Sequence, residues 1–426
     1  MHIVLIAIIL CLLFFIFLQM NSSQGTASIP DSHLVDSIED KTQTESFAFI
    51  SNGKLFHKSP GQNVRQIHSP FIQNILDEEA RRNTLHGWKK GTSFDTSFIG
   101  KPAGDPSETA AMSFKTVEFV NANAILYFLS DGSVGGLFEQ DLTSGTEKRL
   151  LHQQGLDLDH FHFDAAGDRI LCSSGCENGI RNLSVFDRTS NNVAHYTEGD
   201  TIDSMPCSYP GHHHKVVMQS SGVGRNEAGY IMAIGPASLN VLSTDSQQIE
   251  AVVENDQFDF MQPRVHPNGN LYYIRRPFET PTIGTSAVLL DIALFPFRIA
   301  RAFFHYLNFF SLMYSRKPLT TAAGPEVQRD RKQITIQGKR IDAEKAQRRA
   351  GVVRGVPSLV PKNWKLISRN KFGQETEVAS HVISFDLSTD GHIYYTNGFG
   401  VFKVNQDGPE LLFRDTLIEQ MTSIKS

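Results

Sequence analysis

The feature that most constrains this chain is a pair of turns that recurs along it. A small polar turn precedes an alternating apolar strand, and a second hairpin bending at Gly, Asn or Asp follows. Turns of the first kind precede Ile125 (Asn121 to Asn123), Ile170 (Ala166, Gly167, Asp168), Val216 (Pro210, Gly211), Leu271 (Pro267, Asn268, Gly269) and Ile393 (Thr389, Asp390, Gly391). The first three of these strands start about 45 residues apart, the usual length of a propeller repeat. Runs such as Ile125-Leu-Tyr-Phe and Leu271-Tyr-Tyr-Ile carry the β-branched and aromatic residues that suit a pleated, buried surface. Second hairpins bend near Ser59 to Gln62, Thr143 to Thr146, Arg188 to Asn192, Thr244 to Gln247, Asn370 to Gln374 and Gln406 to Gly408. A lone antiparallel unit cannot bury both of its faces, whereas a radial stack buries each against a neighbour. The repeat therefore predicts an all-β fold, a six-bladed β-propeller over residues 46–426.

Two segments interrupt the repeat. Residues 69–113 link the first two units and begin with Phe71, Ile72, Ile75, Leu76 and Ala80 at helical spacing, with Asp77/Arg81 and Glu78/Arg82 four apart. This predicts a partly helical connection. Residues 278–362 interrupt the fifth unit between its second and third strands, and are expected to form an apolar and basic helical insertion. The first unit has only three strands, Phe47 to Ile50, Lys54 to Lys58 and Val64 to His68. The tail Leu417 to Ile424 is expected to supply the fourth and close the ring, which removes exposed sheet edges.

Thr197, Gly199, Asp203, Pro206, Tyr209, Pro210 and Gly211 resemble the repeat of the TolB-like propellers. Asp259, Pro263, Pro267, Asn268 and Gly269 repeat it less closely. The resemblance covers roughly 250 residues and implies a fold, together with periplasmic or extracellular scaffolding and partner binding. Some related propellers precede a serine-peptidase domain, but no G-x-S-x-G nucleophile elbow occurs in this chain.

Residues 3–20 form one apolar run, about 27 Å long as a helix and long enough to span a bilayer. Only His2 and the amino terminus precede it, and acidic Asp31, Asp36, Glu39 and Asp40 follow, which favours export of the following part. The segment 1–22 reads as a signal-anchor or signal peptide. The run is longer than a cleaved leader and lacks a small-x-small site, so a retained transmembrane helix is expected, followed by a linker over 23–45. The expected location is a single-pass inner-membrane protein with the propeller on the periplasmic or extracellular side.

Asp157, Asp159, His160 and His162 alternate along an innermost strand and are candidates to line the central pore. A metal would need a further ligand from another blade, and none is identifiable, so these residues are expected to be solvated and no metal or cofactor is expected. His212, His213 and His214 follow one another on a strand and cannot converge on one ion. Cys172 and Cys176 are candidates for a disulfide closing a hairpin loop, with three small buried thiols (these two and Cys207) as the alternative. No basic array with interleaved aromatics is present, so nucleic-acid binding is not expected.

The most unusual segment is 287–314, in which Asp291, Arg298, Arg301, His305 and Asn308 form one narrow polar stripe on an otherwise apolar helical pattern. Residues 316–354 follow with 11 Lys or Arg against 4 Asp or Glu, although the whole chain has a net charge of -5. An apolar helix beside a basic segment suits an interface with anionic lipid, with Phe295, Phe297, Arg298, Arg301, Phe303, Phe304, Phe309, Phe310, Arg316 and Lys317 as the expected membrane contacts. The sequence thus points to a membrane-associated, non-enzymatic binding or scaffold module, with lipid and a protein or small ligand on the insertion-bearing face as partners. The alternative is an enzyme, a hydrolase or lyase, with its site at the pore mouth.

Overall fold

The computed structural model describes residues 45–86, 112–188, 192–279, 333–336, 339–342, 351–388 and 390–424. A four-stranded antiparallel sheet recurs along them. The first sheet runs from Gln420–Ser423 inside, through Phe47–Ser51 and Lys54–Lys58, to Arg65–Ile67. The second comprises Ser113–Asn121, Ala124–Ser130, Val134–Asp141 and Glu147–Gln154. Leu158–Asp164, Arg169–Gly175, Arg181–Asp187 and Asn192–His195 form the third. The fourth is Thr201–Tyr209, His212–Arg225, Ser238–Ser243 and Gln248–Val253, and a single parallel bridge from Arg181 to Ile202 joins it to the third. Phe258–Val265, Leu271–Pro277, Lys365–Arg369 and Glu375–Ser380 form the fifth, and Ser384–Leu387, Ile393–Thr396, Gly400–Asn405 and Gly408–Arg414 the sixth.

The strand Ala124–Ser130 shows why the sheets stack. All seven of its residues are buried, because alternate side chains face opposite neighbours. Ile125, Tyr127 and Leu129 pack with Ile50 and Leu55 of the first sheet. Leu126 and Phe128 pack with Phe161 and Ile170 of the third. The same two-sided burial continues from third to fourth sheet (Leu171, Val216), fourth to fifth (Val217, Tyr273) and fifth to sixth (Ile274, Phe385). It then returns from sixth to first (Tyr394 and Val401 with Phe47 and Met421). The packing is therefore cyclic, the defining property of a β-propeller. The tail closes it through Phe47↔Ser423, Ala48↔Thr422, Phe49↔Met421 and Ile50↔Gln420.

Neighbouring strands are antiparallel, so first-to-second and third-to-fourth turns share one face of the ring, the turn face. Second-to-third turns and sheet-to-sheet links share the other, the link face. In keeping with this, the Asn52-Gly53 bend meets the start of the second sheet, where Phe114 N donates to Gly53 O at 2.9 Å. Pro277 ends its strand on the link face, so the insertion leaves the ring there.

The helix Pro70–His86 lies in the first connection. Its first turn is tied to the second sheet: Ser69 Oγ donates to Glu147 Oε2 (2.5 Å) and Phe71 N to Glu147 Oε1 (3.0 Å), and the Phe71 and Phe138 rings are 5.0 Å apart. The described residues of the insertion form two strand pairs, Gln333–Ile336 with Lys339–Asp342 and Val352–Val353 with Val356–Pro357, while the expected helical stretch 287–314 lies outside the described residues. Gln-Ile-Thr-Ile alternates with period two before a Gln-Gly dipeptide, a sequence pattern that suits a hairpin. Val356, Leu359 and Val360 then bury themselves against the fifth and sixth sheets. Residues 3–20 and 287–317, with the expected anchor and membrane contacts, lie outside the described residues. Among the described residues no helix is long and apolar enough to cross a membrane.

Candidate functional site

Strict alternation fails on three successive innermost strands, and the failure shapes the channel. The register slips between Asp159 and His162, between Ser204 and Cys207, and between Met261 and Arg264. Each slip contains one residue in the left-handed region: His160 (φ 50), Met205 (φ 50) and Gln262 (φ 51). These are β-bulges, which turn the following side chains off the regular pleat. At the third of them Gln262 reaches across to the sixth sheet, its Nε2 donating to Phe385 O at 2.8 Å.

Beyond the bulges, the innermost strands place polar side chains where adjacent sheets meet nearest the axis. Thr422 Oγ1 lies 3.3 Å from Glu118 Oε2 and 3.2 Å from Asp386 Oδ2. Ser423 donates to Asp386 Oδ2 from its backbone N (2.8 Å) and its Oγ (3.1 Å). Arg264 Nε stands 3.6 Å from Asp386 Oδ1. His162 bridges its neighbours, with Nδ1 3.7 Å from Glu118 Oε1 and Nε2 2.9 Å from Ser208 Oγ. The result is a polar belt drawing on every sheet. It is deeply buried: relative exposure is 1 % for Glu118 and Asp386, 7 % for His162 and 9 % for Arg264. Burial opposes the charge on Arg264, but its interactions with Cys207 and with the carboxylates of Glu118 and Asp386 outweigh it and hold the guanidinium above its ordinary range.

Of the four pore candidates only His162 joins this belt. Asp157 is bound by Arg181 Nη1 at 2.6 Å and is more than half exposed. Asp159 and His160 interact with each other, His160 N donating to Asp159 Oδ1 at 2.8 Å. Burial holds the His160 imidazole below its usual range against the opposing pull of Asp159. Among the described residues no three His, Cys, Asp or Glu side chains form a group able to hold a metal.

The Cys172/Cys176 disulfide is a correction, since both thiols are free. Cys172 lies in the extended strand Arg169–Gly175, and four extended residues span about 13 Å, twice the Cα separation a disulfide tolerates. Cys172 points into the apolar cluster between second and third sheets, and burial pushes its thiol up to about 12.

Glu118, Ser208, Arg264, Asp386 and Thr422 were not singled out from the sequence. The available signal was a lone polar residue within an apolar strand, as in Val117-Glu118-Phe119 and Phe385-Asp386-Leu387.

No protein-family model matches the chain, and no curated protein matches it in sequence. Among solved structures it is similar to TolB from Acinetobacter baumannii, at 10% identity over 91% of this chain and 68% of that one, with a TM-score of 0.47. It is similar also to a nidogen/laminin complex structure (7% identity, 89% of this chain and 98% of that one, TM-score 0.47). A third similar structure is the tricorn protease (10% identity, TM-score 0.43), where 89% of this chain matches 34% of the other. The likeness is one of fold, and the β-propeller itself rests on the chain's own cyclic packing.

Proposed function

We propose that the chain is an exported, membrane-associated propeller of six blades that acts as a non-enzymatic binding or scaffold module. The observation that carries this reading is the placement of the insertion. It leaves at Pro277 on the link face, and its sequence combines the most apolar stretch outside the N-terminus with a strongly basic one. Such a segment favours lipid contact, holding that face toward the membrane in which residues 3–20 are anchored. The belt supports a scaffold role, because its charged groups are engaged with one another across the sheets. The test is flotation with anionic liposomes of the compact unit Thr42–Ser426, with and without residues 286–316. Binding lost only in the deletion, and weakened by salt in the intact form, is expected. Equal flotation of both forms, or of neither, refutes lipid contact by the insertion.

One observation favours a second reading. Ser208, His162 and Glu118 are ordered as nucleophile, base and orienting carboxylate, with a 2.9 Å Oγ to Nε2 contact. A serine hydrolase at the channel would be labelled by a fluorophosphonate in wild type and not in Ser208→Ala. Absence of labelling in the wild type refutes it.

A further inference from the structure

A second site lies away from the belt, on the turn face between the fourth and fifth sheets. A cleft of about 520 Å³ opens there, bounded by the bends at Pro210, Pro267 and Asn370. Its volume is that of a small-molecule pocket. Its walls have two characters. Val241, Val252, Val265 and Leu271 make an apolar floor, and Tyr209 adds an aromatic face. Lys215 and Lys371 line the same cleft, and among the described residues neither has a salt-bridge partner. Arg369 lines it as well; it shares the single carboxylate of Glu375 with Arg275 (3.5 and 2.9 Å), so that cluster keeps a surplus positive charge.

The sequence builds this arrangement rather than leaving it to chance. Gly269 adopts φ +87, and a Cβ there would lie 2.3 Å from Lys371 Cε. The glycine therefore both makes the bend and gives the Lys371 stem its path across the turn. Glu250, on the outermost strand of the fourth sheet, is the one carboxylate lining the cleft. It disfavours an anion at its own end and so orients a ligand's negative group toward the lysines.

We propose that this cleft binds a small organic anion, with a carboxylate or phosphate held by Lys215 and Lys371 and an apolar or aromatic body seated against Tyr209, Val252 and Leu271. An unpaired ammonium beside an apolar floor offers such a ligand a charge-assisted hydrogen bond and dehydrated surface together. The proposal is independent of the membrane reading, since the cleft lies between the fourth and fifth sheets at the turn face, whereas the insertion leaves the ring at Pro277 on the link face.

The test is calorimetric titration of the full chain with phenyl phosphate, phenylacetate and benzylamine. Saturable binding of at least one anion and none of the amine is expected, and the preferred anion separates phosphate from carboxylate recognition. Lys215→Gln and Lys371→Gln should each weaken binding roughly tenfold, the loss of one charge-assisted bond. Neither lysine supports an ion pair, so both variants should keep the wild-type unfolding midpoint. Val252→Trp, filling the floor, should abolish binding. The proposal is overturned if neither anion saturates at millimolar concentration, if benzylamine binds as well as the anions, or if both lysine variants bind as wild type does.

Discussion

Replacing Arg264 with methionine removes the cation of the belt and keeps most of its volume. The guanidinium sits 3.6 Å from Asp386, and both are almost fully buried. At an effective dielectric of 20 that separation corresponds to roughly 4 to 5 kcal/mol of attraction. Removing one partner of a buried pair typically costs about 3–5 kcal/mol, because the remaining charge is stranded. Arg264→Met should therefore destabilise the fold by about 3–5 kcal/mol, a large share of the 5–15 kcal/mol typical of a domain. Asp386→Asn alone keeps the acceptor that Ser423 uses and leaves Arg264 the Glu118 charge, so it should cost less. The double variant should cost less than the sum of the two, with a coupling above about 1.5 kcal/mol. The assay is urea unfolding of wild type, both single variants and the double, read from midpoints at constant slope. A cost below about 1 kcal/mol for Arg264→Met, or additivity within about 0.5 kcal/mol, would refute the view that the belt is an electrostatic clasp.

Three further outcomes follow from the same structure. His57 is buried, and burial first, with Arg65 second, lowers its imidazole from 6.5 to about 4. The folded state thus binds fewer protons than the unfolded one, so this contribution is full above pH 6.5 and is lost as pH falls through 4. It amounts to about 3 kcal/mol, and urea midpoints of wild type should fall between pH 7 and pH 4 more than those of His57→Gln. Native thiol labelling should modify half-exposed Cys176 and spare Cys172 until the protein unfolds, and the intact mass without reductant should show no 172–176 disulfide. A chain ending at Glu419 should lose the protease-resistant core, since it strips the inner strand from the first sheet and Thr422 and Ser423 from the belt; resistance equal to wild type would count against closure by the tail.

The repeat was legible because turn chemistry and two-sided apolar strands are local signals. Asn52-Gly53, Pro267-Asn268-Gly269 and Ser388-Thr-Asp-Gly each dictate a bend whatever surrounds them. The belt was much less legible, for a physical reason. Its members meet across sheets, so Glu118 and Thr422 stand 304 positions apart and share no local pattern. Alternation also misleads where the chain bulges. Counting by twos places His160 and His162 on one side, yet the left-handed turn at His160 separates them, and only His162 reaches Glu118 and Ser208. The Cys172/Cys176 pairing failed similarly, through taking a loop where the strand stays extended to Gly175. Helical spacing in the first connection was a sound guide, because Phe71 and Ile72 did find the cluster between first and second sheets.

The way the ring is fastened also sets a schedule. Ser51 meets Thr416 across 365 positions, and the strand beside it has no inner neighbour until residues 420–423 exist. Those residues come after the rest of the ring along the chain, so until they are made the early strands are held in an open arc with one edge unpaired. Contacts this distant in sequence are slow to form. A chain that cannot latch until this strand emerges keeps its first sheet open until residue 423 has been made, and only then does the ring complete itself.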